Sequence, residues 1–259
     1  MNEKIQLVIP AAGNGTRFKS AGYKTIKPLI PVFNVPMINW VIANFPINFL
    51  SKVIIISKYG DEIHELTKEW FKENKINLEF LTIPGETEGP ADTVSRVRES
   101  IDLDAPMVVA NSDQYVNADL LEFLQRVCSG GEKGTILSMS ATSSKWSYIG
   151  RDNNGSINKV VEKVEISDEA TVGIYGWSKA KFFFSSFEKM RLMNDRTNGE
   201  FYVAPTYNYL ISEGLRVGAL NIGNIESNVF GLGTPEDLNL FLRNKDMANK
   251  ATSILKSTS

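Results

Sequence analysis

The sequence predicts an α/β protein with a mainly parallel sheet covered by helices. Through the first 140 residues, short runs rich in β-branched residues alternate with segments of helical periodicity. Several runs, such as "KVIIIS", are apolar at consecutive positions, which is typical of strands buried on both faces. Hydrophobic residues make up 42% of the chain and charged residues 22%, as in ordinary globular proteins.

The first half of the chain has the most regular alternation. Apolar runs predict strands at residues 5–9, 52–57, 77–81, 106–110 and 135–140. Helical periodicity predicts helices at residues 36–45, 61–73, 91–100 and 119–127. Asn117 is the candidate N-cap of the last of these helices, because asparagine is favoured at that position. This order favours parallel strands that are joined by crossover helices.

The pattern changes after about residue 143. Strands are predicted at residues 148–150, 157–164, 171–177 and 216–221, with a hairpin turn at 153–155. Helices are predicted at residues 179–190 and 201–212, and a last one near Pro235 with Thr234 as its cap. We expect one domain over residues 1–245 that is built in two halves, 1–140 and 141–245. A polar tail over residues 246–259 is predicted to fray.

Charge and composition exclude several classes of function. The net charge is −2, so the chain lacks the basic excess of a general nucleic-acid or membrane-surface binder. Cys128 is the single cysteine and His64 the single histidine, which excludes a disulfide within the chain and a histidine-cluster metal site. The N-terminal apolar run, residues 5–12, is too short for a signal or a membrane span. We expect a cytoplasmic protein.

A loop with two glycines follows the first predicted strand in "VIPAAGNGTRFKSAGYKTIKPL", residues 8–29. Ligands of open α/β sheets bind at the carboxyl ends of the strands, and backbone N–H groups there can surround phosphate oxygens. Arg17 would add a planar guanidinium and Lys27 a point charge. The spacing is neither that of a P-loop nor that of a dinucleotide fingerprint, because Phe18 occupies the position of the third glycine. The loop therefore predicts a distinct phosphate site.

This stretch resembles the signature of the sugar-1-phosphate nucleotidyltransferases, especially bacterial members associated with capsule and surface-polysaccharide synthesis. The resemblance extends to about residue 245 and implies a Rossmann-like sheet of the glycosyltransferase-A type. It assigns residues 1–140 to the nucleotide and 141–245 to the acceptor. It makes Arg17 and Lys27 catalytic. It also implies that the nucleotide is bound by Ala11, Ala12, Gly13, Asn14, Gly15 and Thr16.

Two further segments resemble the nucleotide half of this family. "EGPADTV", residues 88–94, resembles the turn that approaches the base, so Gly89 is predicted to contact the base and the role of Asp92 stays open. "VVANSDQYV", residues 108–116, places Asp113 after a buried strand, where a carboxylate is a natural Mg²⁺ ligand beside a triphosphate. Ser112 is predicted to bind the nucleotide, and Asn111 is a candidate neutral oxygen ligand of the ion.

Three segments resemble the acceptor half. In "VVEKV", residues 160–164, the resemblance implies that Glu162 holds sugar hydroxyls and that Lys163 meets the acceptor phosphate. Alternation along a strand would point these two side chains to opposite faces, unless a bulge redirects one. "TVGIYGW", residues 171–177, implies that Gly173 offers its backbone to the sugar. "NGEF", residues 198–201, implies that Glu200 lies near the acceptor.

One segment departs from the family pattern. "FGLGTPEDL", residues 230–238, has Gly231 where many members carry a second metal-binding aspartate. Either Glu226 or Asn228 replaces it, or Asp113 holds the Mg²⁺ alone with phosphates and water.

The resemblance implies that a nucleoside triphosphate and a sugar 1-phosphate react to give a nucleotide-sugar and pyrophosphate. The alternatives are a cytidylyltransferase for a phosphorylated amine or amide, a glycosyltransferase that uses a ready-made nucleotide-sugar, and a non-catalytic regulatory homologue. The sequence leaves the base, the acceptor and a homo-oligomeric state open.

Overall fold

The computed structural model describes residues 4–61, 63–224 and 227–256. The strands are β1 (Ile5–Pro10), β2 (Pro31–Val32), β3 (Val35–Pro36), β4 (Leu50–Lys58), β5 (Leu78–Ile83), β6 (Met107–Ala110), β7 (Gln114–Val116), β8 (Gly134–Ser140), β9 (Ser147–Arg151), β10 (Ile157–Glu162), β11 (Glu169–Trp177), β12 (Val217–Asn224) and β13 (Val229–Gly231). The helices are α1 (Thr16–Ser20), α2 (Met37–Ile42), α3 (Ile63–Glu73), α4 (Pro90–Ser95), α5 (Leu121–Ser129), α6 (Ala180–Leu192), α7 (Tyr207–Ser212), α8 (Pro235–Phe241) and α9 (Lys245–Lys256).

The predicted α/β class is confirmed by a mixed sheet that is flanked by helices. Within the described residues, nine strands form this sheet in the order β10-β9-β11-β6-β1-β4-β5, and β8 and β12 branch from β11. Strands β6, β1, β4 and β5 are parallel to one another, as the βαβα alternation predicts. Strand β11 runs antiparallel to β6, so both predicted halves of the chain contribute to the same sheet.

The continuous apolar runs of the central strands are explained by burial on both faces of the sheet. Val8 packs in a cluster with Ile54 on one face, whereas its neighbour Leu7 packs with Val53 on the other. Because successive side chains of a strand point to opposite faces, both faces need apolar residues when both are covered. A third cluster is rich in aromatic residues and contains Trp40.

Several predictions about the ends of elements are wrong. The helices predicted over residues 91–100 and 201–212 are shorter: α4 ends at Ser95 and α7 begins at Tyr207, and a 3₁₀ turn lies next to each. Helix α5 begins at Leu121, so its N-cap is Leu120 rather than Asn117, and no side chain caps it. The N–H of Leu121 donates to the carboxylate of Asp119 at 2.8 Å, just before the helix. The backbone N–H of Asn117 instead donates to the carbonyl oxygen of Asn228 at 2.7 Å. The predicted strand over residues 157–164 ends two residues earlier, at Glu162.

The C-terminal segment also differs from the prediction of a frayed polar tail. Residues Lys245–Lys256 form helix α9, and Met247, Ala251 and Ile254 are buried in the aromatic-rich cluster. These residues are spaced by four and three positions, which places them on one face of a helix. The segment is polar overall but amphipathic, and the burial of this face explains its order. Within residues 4–61, 63–224 and 227–256, no helix has the length and apolar content that crossing a membrane requires.

Candidate active site

Two adjoining cavities open at the carboxyl ends of the parallel strands. We call the first the loop cavity, because Ala12, Gly13 and Asn14 of the glycine loop line it; its volume is about 370 Å³. The second is the strand cavity, of about 290 Å³, which strands β9, β10 and β11 line. The cavities share Pro90, Asn111, Asp113 and Tyr202 as lining residues. A ligand in one cavity would therefore be next to a ligand in the other.

The glycine loop turns the chain so that Lys27 reaches the loop cavity. Gly15 has a left-handed backbone with φ of 59°, a conformation that glycine adopts without strain. A Cβ atom on Gly15 would lie 3.4 Å from the Cβ atom of Lys27, so the loop and the lysine pack tightly. Gly15 and Thr16 do not line the cavity, and Ala11 is buried in the core below it. The structure thus brings three of the six predicted loop residues to the cavity wall.

Sequence reasoning missed a polar cluster on the wall of the loop cavity. The side-chain amide of Asn14 donates to Glu86 at 2.9 Å, and the Lys58 ammonium donates to the side-chain oxygen of Asn14. Lys58 and Glu86 also form an ion pair with an N–O distance of 3.7 Å. Lys58 is the last residue of the buried parallel strand β4. This position could have identified it from the sequence, because ligands bind at the carboxyl ends of such strands.

Gly89, which is predicted to contact the base, lines the loop cavity, and the packing of its turn requires a residue without a side chain. A Cβ atom on Gly89 would lie 2.6 Å from the backbone nitrogen and oxygen of Phe201. The N–H of Phe201 donates to the carbonyl oxygen of Glu88 at 2.8 Å, so the acceptor half packs directly against this turn. The open question about Asp92 is resolved, because its buried carboxylate accepts hydrogen bonds from the Glu88 N–H and from Arg96. Asp92 therefore stabilises the turn.

Asp113 lies at the boundary of the two cavities. Its carboxylate pairs with the Lys27 ammonium at 3.0 Å. The position of Asp113 is set by a small two-stranded sheet of β7 and β13, next to which the N–H of Leu232 donates to the carbonyl oxygen of Asp113 at 2.7 Å. A Cβ atom on Gly233 would lie 2.6 Å from the Asp113 carboxylate, so a glycine is needed at that position. The same sheet brings Gly231 opposite Gln114.

The missing second aspartate is not replaced by Asn228. The side-chain amide of Asn228 donates to the carbonyl oxygen of Ile222 at 2.6 Å, and Asn228 lines neither cavity. Glu226, the other candidate, lies outside the described residues. The carboxylate beside the glycine belongs to Asp237, whose Oδ2 atom would lie 3.6 Å from a Cβ atom on Gly231. Asp237 pairs with Lys145 at 3.3 Å, and both line the strand cavity. Sequence reasoning did not identify these two residues.

Glu162 and Lys163 both face the strand cavity, despite being adjacent in sequence. Lys163 follows the last residue of β10 and has a left-handed backbone with φ of 59°, which is uncommon for a residue with a long side chain. Its N–H donates to the carbonyl oxygen of Trp146 at 3.0 Å. The change of backbone conformation breaks the strand alternation and turns both charged side chains into one cavity. Left-handed residues of this kind are concentrated at functional sites.

The Glu162 carboxylate is buried, with only 7% of the residue exposed. Burial raises the pKa of Glu162, while the hydroxyl of Ser147, which donates to this carboxylate, and the charge of Lys163 act in the opposite direction. A carboxylate in this environment is destabilised in the folded state unless a ligand adds hydrogen-bond donors.

Two buried polar atoms of the strand cavity wall have no hydrogen-bond partner among the described residues. They are the side-chain oxygen of Gln114 and the indole nitrogen of Trp146, and these residues are 6% and 8% exposed. Gly173, at φ of 82°, lets the side chains of Gln114 and Asn111 pack against its backbone, since a Cβ atom there would overlap both. The carbonyl oxygen of Gly173 accepts from the N–H of Asn111 at 2.8 Å, so its backbone positions the wall of this cavity.

Two predicted residues lie in the cavity opposite to the one expected. Arg17 lines the strand cavity and not the loop cavity, because helix α1 carries it past the glycine loop. Glu200 lines the loop cavity and not the strand cavity. Tyr202, which sequence reasoning missed, connects the cavities: its hydroxyl donates to Glu200 at 2.6 Å and accepts from Lys163. Ser112, which is predicted to bind the nucleotide, lines the loop cavity.

The model of the Nucleotidyl transferase family matches residues 6–201, which is more than half of the chain. The chain belongs to the nucleotidyl transferase family. This confirms the family that the motifs predict. Among the curated relatives, the bifunctional protein GlmU of Bacillus cytotoxicus is 27% identical over 82% of the chain, and that of Bacillus subtilis is 26% identical over 88%. The chain spans 46% and 49% of these relatives, that is, about half of their length.

Solved structures of nucleotidyl transferase fold are similar over nearly the whole chain. A nucleoside-diphosphate-sugar pyrophosphorylase from Vibrio cholerae RC9 matches with a TM-score of 0.81 and 23% identity, over 92% of this chain and 100% of that one. A putative glucose-1-phosphate thymidylyltransferase from Bacillus anthracis has a TM-score of 0.74 at 19% identity, over 92% and 94% of the two chains. The inositol-1-phosphate CTP transferase from T. maritima has a TM-score of 0.71 at 11% identity, over 97% and 96%. At these identities the likeness supports the fold.

Proposed function

We propose that this protein transfers a nucleotidyl group from a nucleoside triphosphate to a sugar 1-phosphate, giving a nucleotide-sugar and pyrophosphate. The observation that carries the proposal is the pair of cavities that meet at Asp113 and Tyr202. Transfer requires two anionic substrates side by side, and each cavity supplies cations for one of them. Membership of the nucleotidyl transferase family supports the reaction class. The names of the Vibrio cholerae and Bacillus anthracis proteins support a sugar phosphate as the acceptor.

In this reaction an oxygen of the acceptor phosphate attacks the α-phosphorus, and the bond between that phosphorus and the bridging oxygen of the leaving pyrophosphate breaks. No protein nucleophile is required. The residues have to hold two anions in line and balance the negative charge that moves onto pyrophosphate. Lys27 and Lys58 line the loop cavity for the triphosphate, whereas Lys163 and Arg17 line the strand cavity for the acceptor phosphate. Cys128 lies on α5 and lines neither cavity.

A Mg²⁺ ion fits the residues at the boundary. The Asp113 carboxylate already has a cation beside it, the Lys27 ammonium, and Asn111 adds a neutral oxygen on the same wall. Among the described residues, no three acidic, histidine or cysteine side chains surround one point. This agrees with Mg²⁺ sites that use one or two carboxylates together with phosphates and water. When bound, the ion would neutralise phosphate charge, while Asp113 and Asn111 would hold it.

The sugar is favoured over the other acceptors by the polar wall of the strand cavity. The Glu162 carboxylate can accept hydrogen bonds from hydroxyl groups, and the side-chain amides of Asn111 and Gln114 on the same wall carry both donors and acceptors. A ligand rich in hydroxyl groups satisfies donors and acceptors together. We place the product in capsule or surface-polysaccharide synthesis, on the strength of the motif resemblance.

Pyrophosphate release tests the proposal. The wild-type protein is incubated with Mg²⁺, each of the four nucleoside triphosphates, and a panel of sugar 1-phosphates, phosphocholine and a phosphorylated amide. We expect release with one triphosphate and a sugar 1-phosphate, and the nucleotide-sugar should appear in equal amount. Release only with an amine or amide phosphate would identify the cytidylyltransferase alternative. No release with any pair would contradict the proposed function.

A further inference from the structure

Tyr202 joins three charged or polar elements at the place where the cavities meet. Its hydroxyl lies 2.6 Å from the Glu200 carboxylate, and the Lys163 ammonium contacts the same oxygen. The ammonium also lies 4.2 Å from the centre of the tyrosine ring. A lysine ammonium can only donate hydrogen bonds, so the tyrosine oxygen accepts from Lys163 and its proton goes to Glu200. Tyr202 is half-buried, and burial together with the Glu200 carboxylate keeps its pKa above the ordinary value.

The arrangement keeps Lys163 apart from a competing carboxylate. Since the ammonium and the Glu200 carboxylate contact the same oxygen, they lie no farther apart than two hydrogen-bond lengths. Without the hydroxyl between them, the flexible lysine stem would allow a direct ion pair. In such a pair the Glu200 carboxylate would neutralise the charge of Lys163, and the lysine would bind an anion less well. With the hydroxyl in place, Lys163 uses one of its three N–H donors on Tyr202, and the others remain available for an anion.

We propose that Tyr202 is a positioning residue that holds Lys163 ready for the acceptor phosphate by separating it from Glu200. The inference rests on the proposed function, because it takes the strand cavity as the acceptor site. It also assigns Glu200 a role different from direct contact with the acceptor. Glu200 lines the loop cavity, and its link to the strand cavity runs through Tyr202.

Tyr202→Phe is the first test, because it removes the hydroxyl and keeps the ring. We expect the KM for the acceptor to rise about tenfold, because Lys163 then pairs with Glu200 and its charged hydrogen bond to the acceptor phosphate is weakened, while the KM for the triphosphate changes less than about twofold. The double variant Tyr202→Phe with Glu200→Gln should recover most of the acceptor affinity, because the competing carboxylate is gone. Glu200→Gln alone should raise the acceptor KM less than Tyr202→Phe does, because the hydroxyl of Tyr202 still contacts Lys163.

Tyr209→Phe is the matched control, since Tyr209 also donates to a carboxylate, that of Asp195, at 3.0 Å and lines neither cavity. It should leave both KM values unchanged. The proposal is wrong if Tyr202→Phe leaves the acceptor KM unchanged, if it raises both KM values equally, or if the double variant shows no recovery. It is also wrong if Glu200→Gln alone raises the acceptor KM as much as Tyr202→Phe.

Calorimetric titration with inorganic phosphate separates this inference from the proposed function, because it requires no turnover. Lys163→Ala defines the part of the phosphate affinity that depends on Lys163. The Lys163-dependent part of the phosphate affinity should fall in Tyr202→Phe and return in the double variant. This should hold even if the wild type releases no pyrophosphate with any pair of triphosphate and acceptor. An unchanged Lys163-dependent affinity in a folded Tyr202→Phe variant overturns the inference, whatever the turnover assay gives.

Discussion

The loop cavity and the strand cavity satisfy their polar groups in different ways. In the loop cavity the charged groups already pair with one another, as Lys27 does with Asp113 and Lys58 with Glu86. In the strand cavity, Gln114 and Trp146 have buried polar atoms without a partner among the described residues, and Glu162 is buried as an acid of raised pKa. A buried group that only the right ligand satisfies rejects other ligands strongly. The strand cavity should therefore discriminate more sharply than the loop cavity.

Asp113→Asn should have the largest effect, because Asp113 belongs to both cavities. We expect the turnover to fall about 10³-fold with the fold intact, since a carboxylate that holds Mg²⁺ beside reacting phosphate stabilises the transition state by several kcal/mol. Pyrophosphate release at saturating Mg²⁺ and a thermal melt measure the two quantities. A wild-type rate would show that Asp113 holds no essential ion.

Arg17→Ala should have the next largest effect, with Lys19→Ala as its matched control in the same helix, α1. Both residues are exposed, but Arg17 lines the strand cavity, whereas Lys19 lines neither cavity. Losing one preorganised charge typically lowers the rate about 10²-fold, and Lys19→Ala should change it less than about twofold. Equal losses from the two variants would indicate a diffuse cationic surface. The ratio of the two KM values in Arg17→Ala would further show which cavity the guanidinium serves.

Lys163→Ala tests the division between the cavities directly. We expect the acceptor affinity to fall about fiftyfold and the triphosphate affinity to stay nearly constant, because Lys163 lines the strand cavity and not the loop cavity. Separate titrations of each ligand measure this. The loss should persist at high Mg²⁺. Recovery at high Mg²⁺ would reveal a second ion near Asp237, and a loss confined to the triphosphate would move Lys163 to the nucleotide site.

Cavity residues that belong to one continuous segment could be placed from the sequence, for a physical reason. The glycine loop is one continuous segment, and the placement of Gly13, Asn14 and Lys27 follows from local backbone geometry. The wall of the strand cavity comes from segments that are distant in sequence and meet only after folding, such as Trp146, Tyr202 and Asp237. The central strands were equally predictable, because burial on both faces requires apolar runs that are visible in the sequence.

Backbone conformation accounts for most of what remained unpredicted. The left-handed residue Lys163 carries no glycine or asparagine signal, so strand alternation suggested the wrong direction for its side chain. The close packing of Gly89 against Phe201 likewise depends on a contact between residues over a hundred positions apart. In helix α9 the apolar spacing was present, but the polar composition of the segment concealed it.

Glu162→Gln should have the smallest effect, and it concerns stability. Because the pKa of Glu162 is raised in the folded protein, the folded state keeps this proton at pH values where the unfolded chain has lost it. The wild type therefore loses stability as the pH rises above the ordinary glutamate pKa of about 4.3. Glutamine has no such loss, so the variant should be more stable at neutral pH by about 1 kcal/mol, and by less at about pH 4.5.

Urea unfolding at these two pH values measures the difference in stability between Glu162→Gln and the wild type. The affinity of the same variant for the acceptor should also fall. A variant that is less stable than the wild type at neutral pH would show that the Ser147 hydrogen bond outweighs the cost of burying the charge. That result would weaken the contrast between the two cavities.

The β9–β10 hairpin lies at the edge of the sheet, which affects how specificity could be exchanged between relatives. A chimera joined at residue 140 would have to match every strand pairing that crosses this point, namely β6–β11, β8–β11, β8–β12 and β7–β13. It would also have to match the backbone hydrogen bonds between Phe201 and the Glu88 turn. The hairpin pairs with the rest of the sheet only through Ala170 and Tyr148 among the described strands, and it carries Trp146, Ser147, Glu162 and Lys163 on or beside it. Asn208 anchors it by two hydrogen bonds to the backbone of Val160. If the strand cavity is the acceptor site, we expect that transplanting residues 143–165 into a relative that keeps this asparagine would change the acceptor preference of that relative.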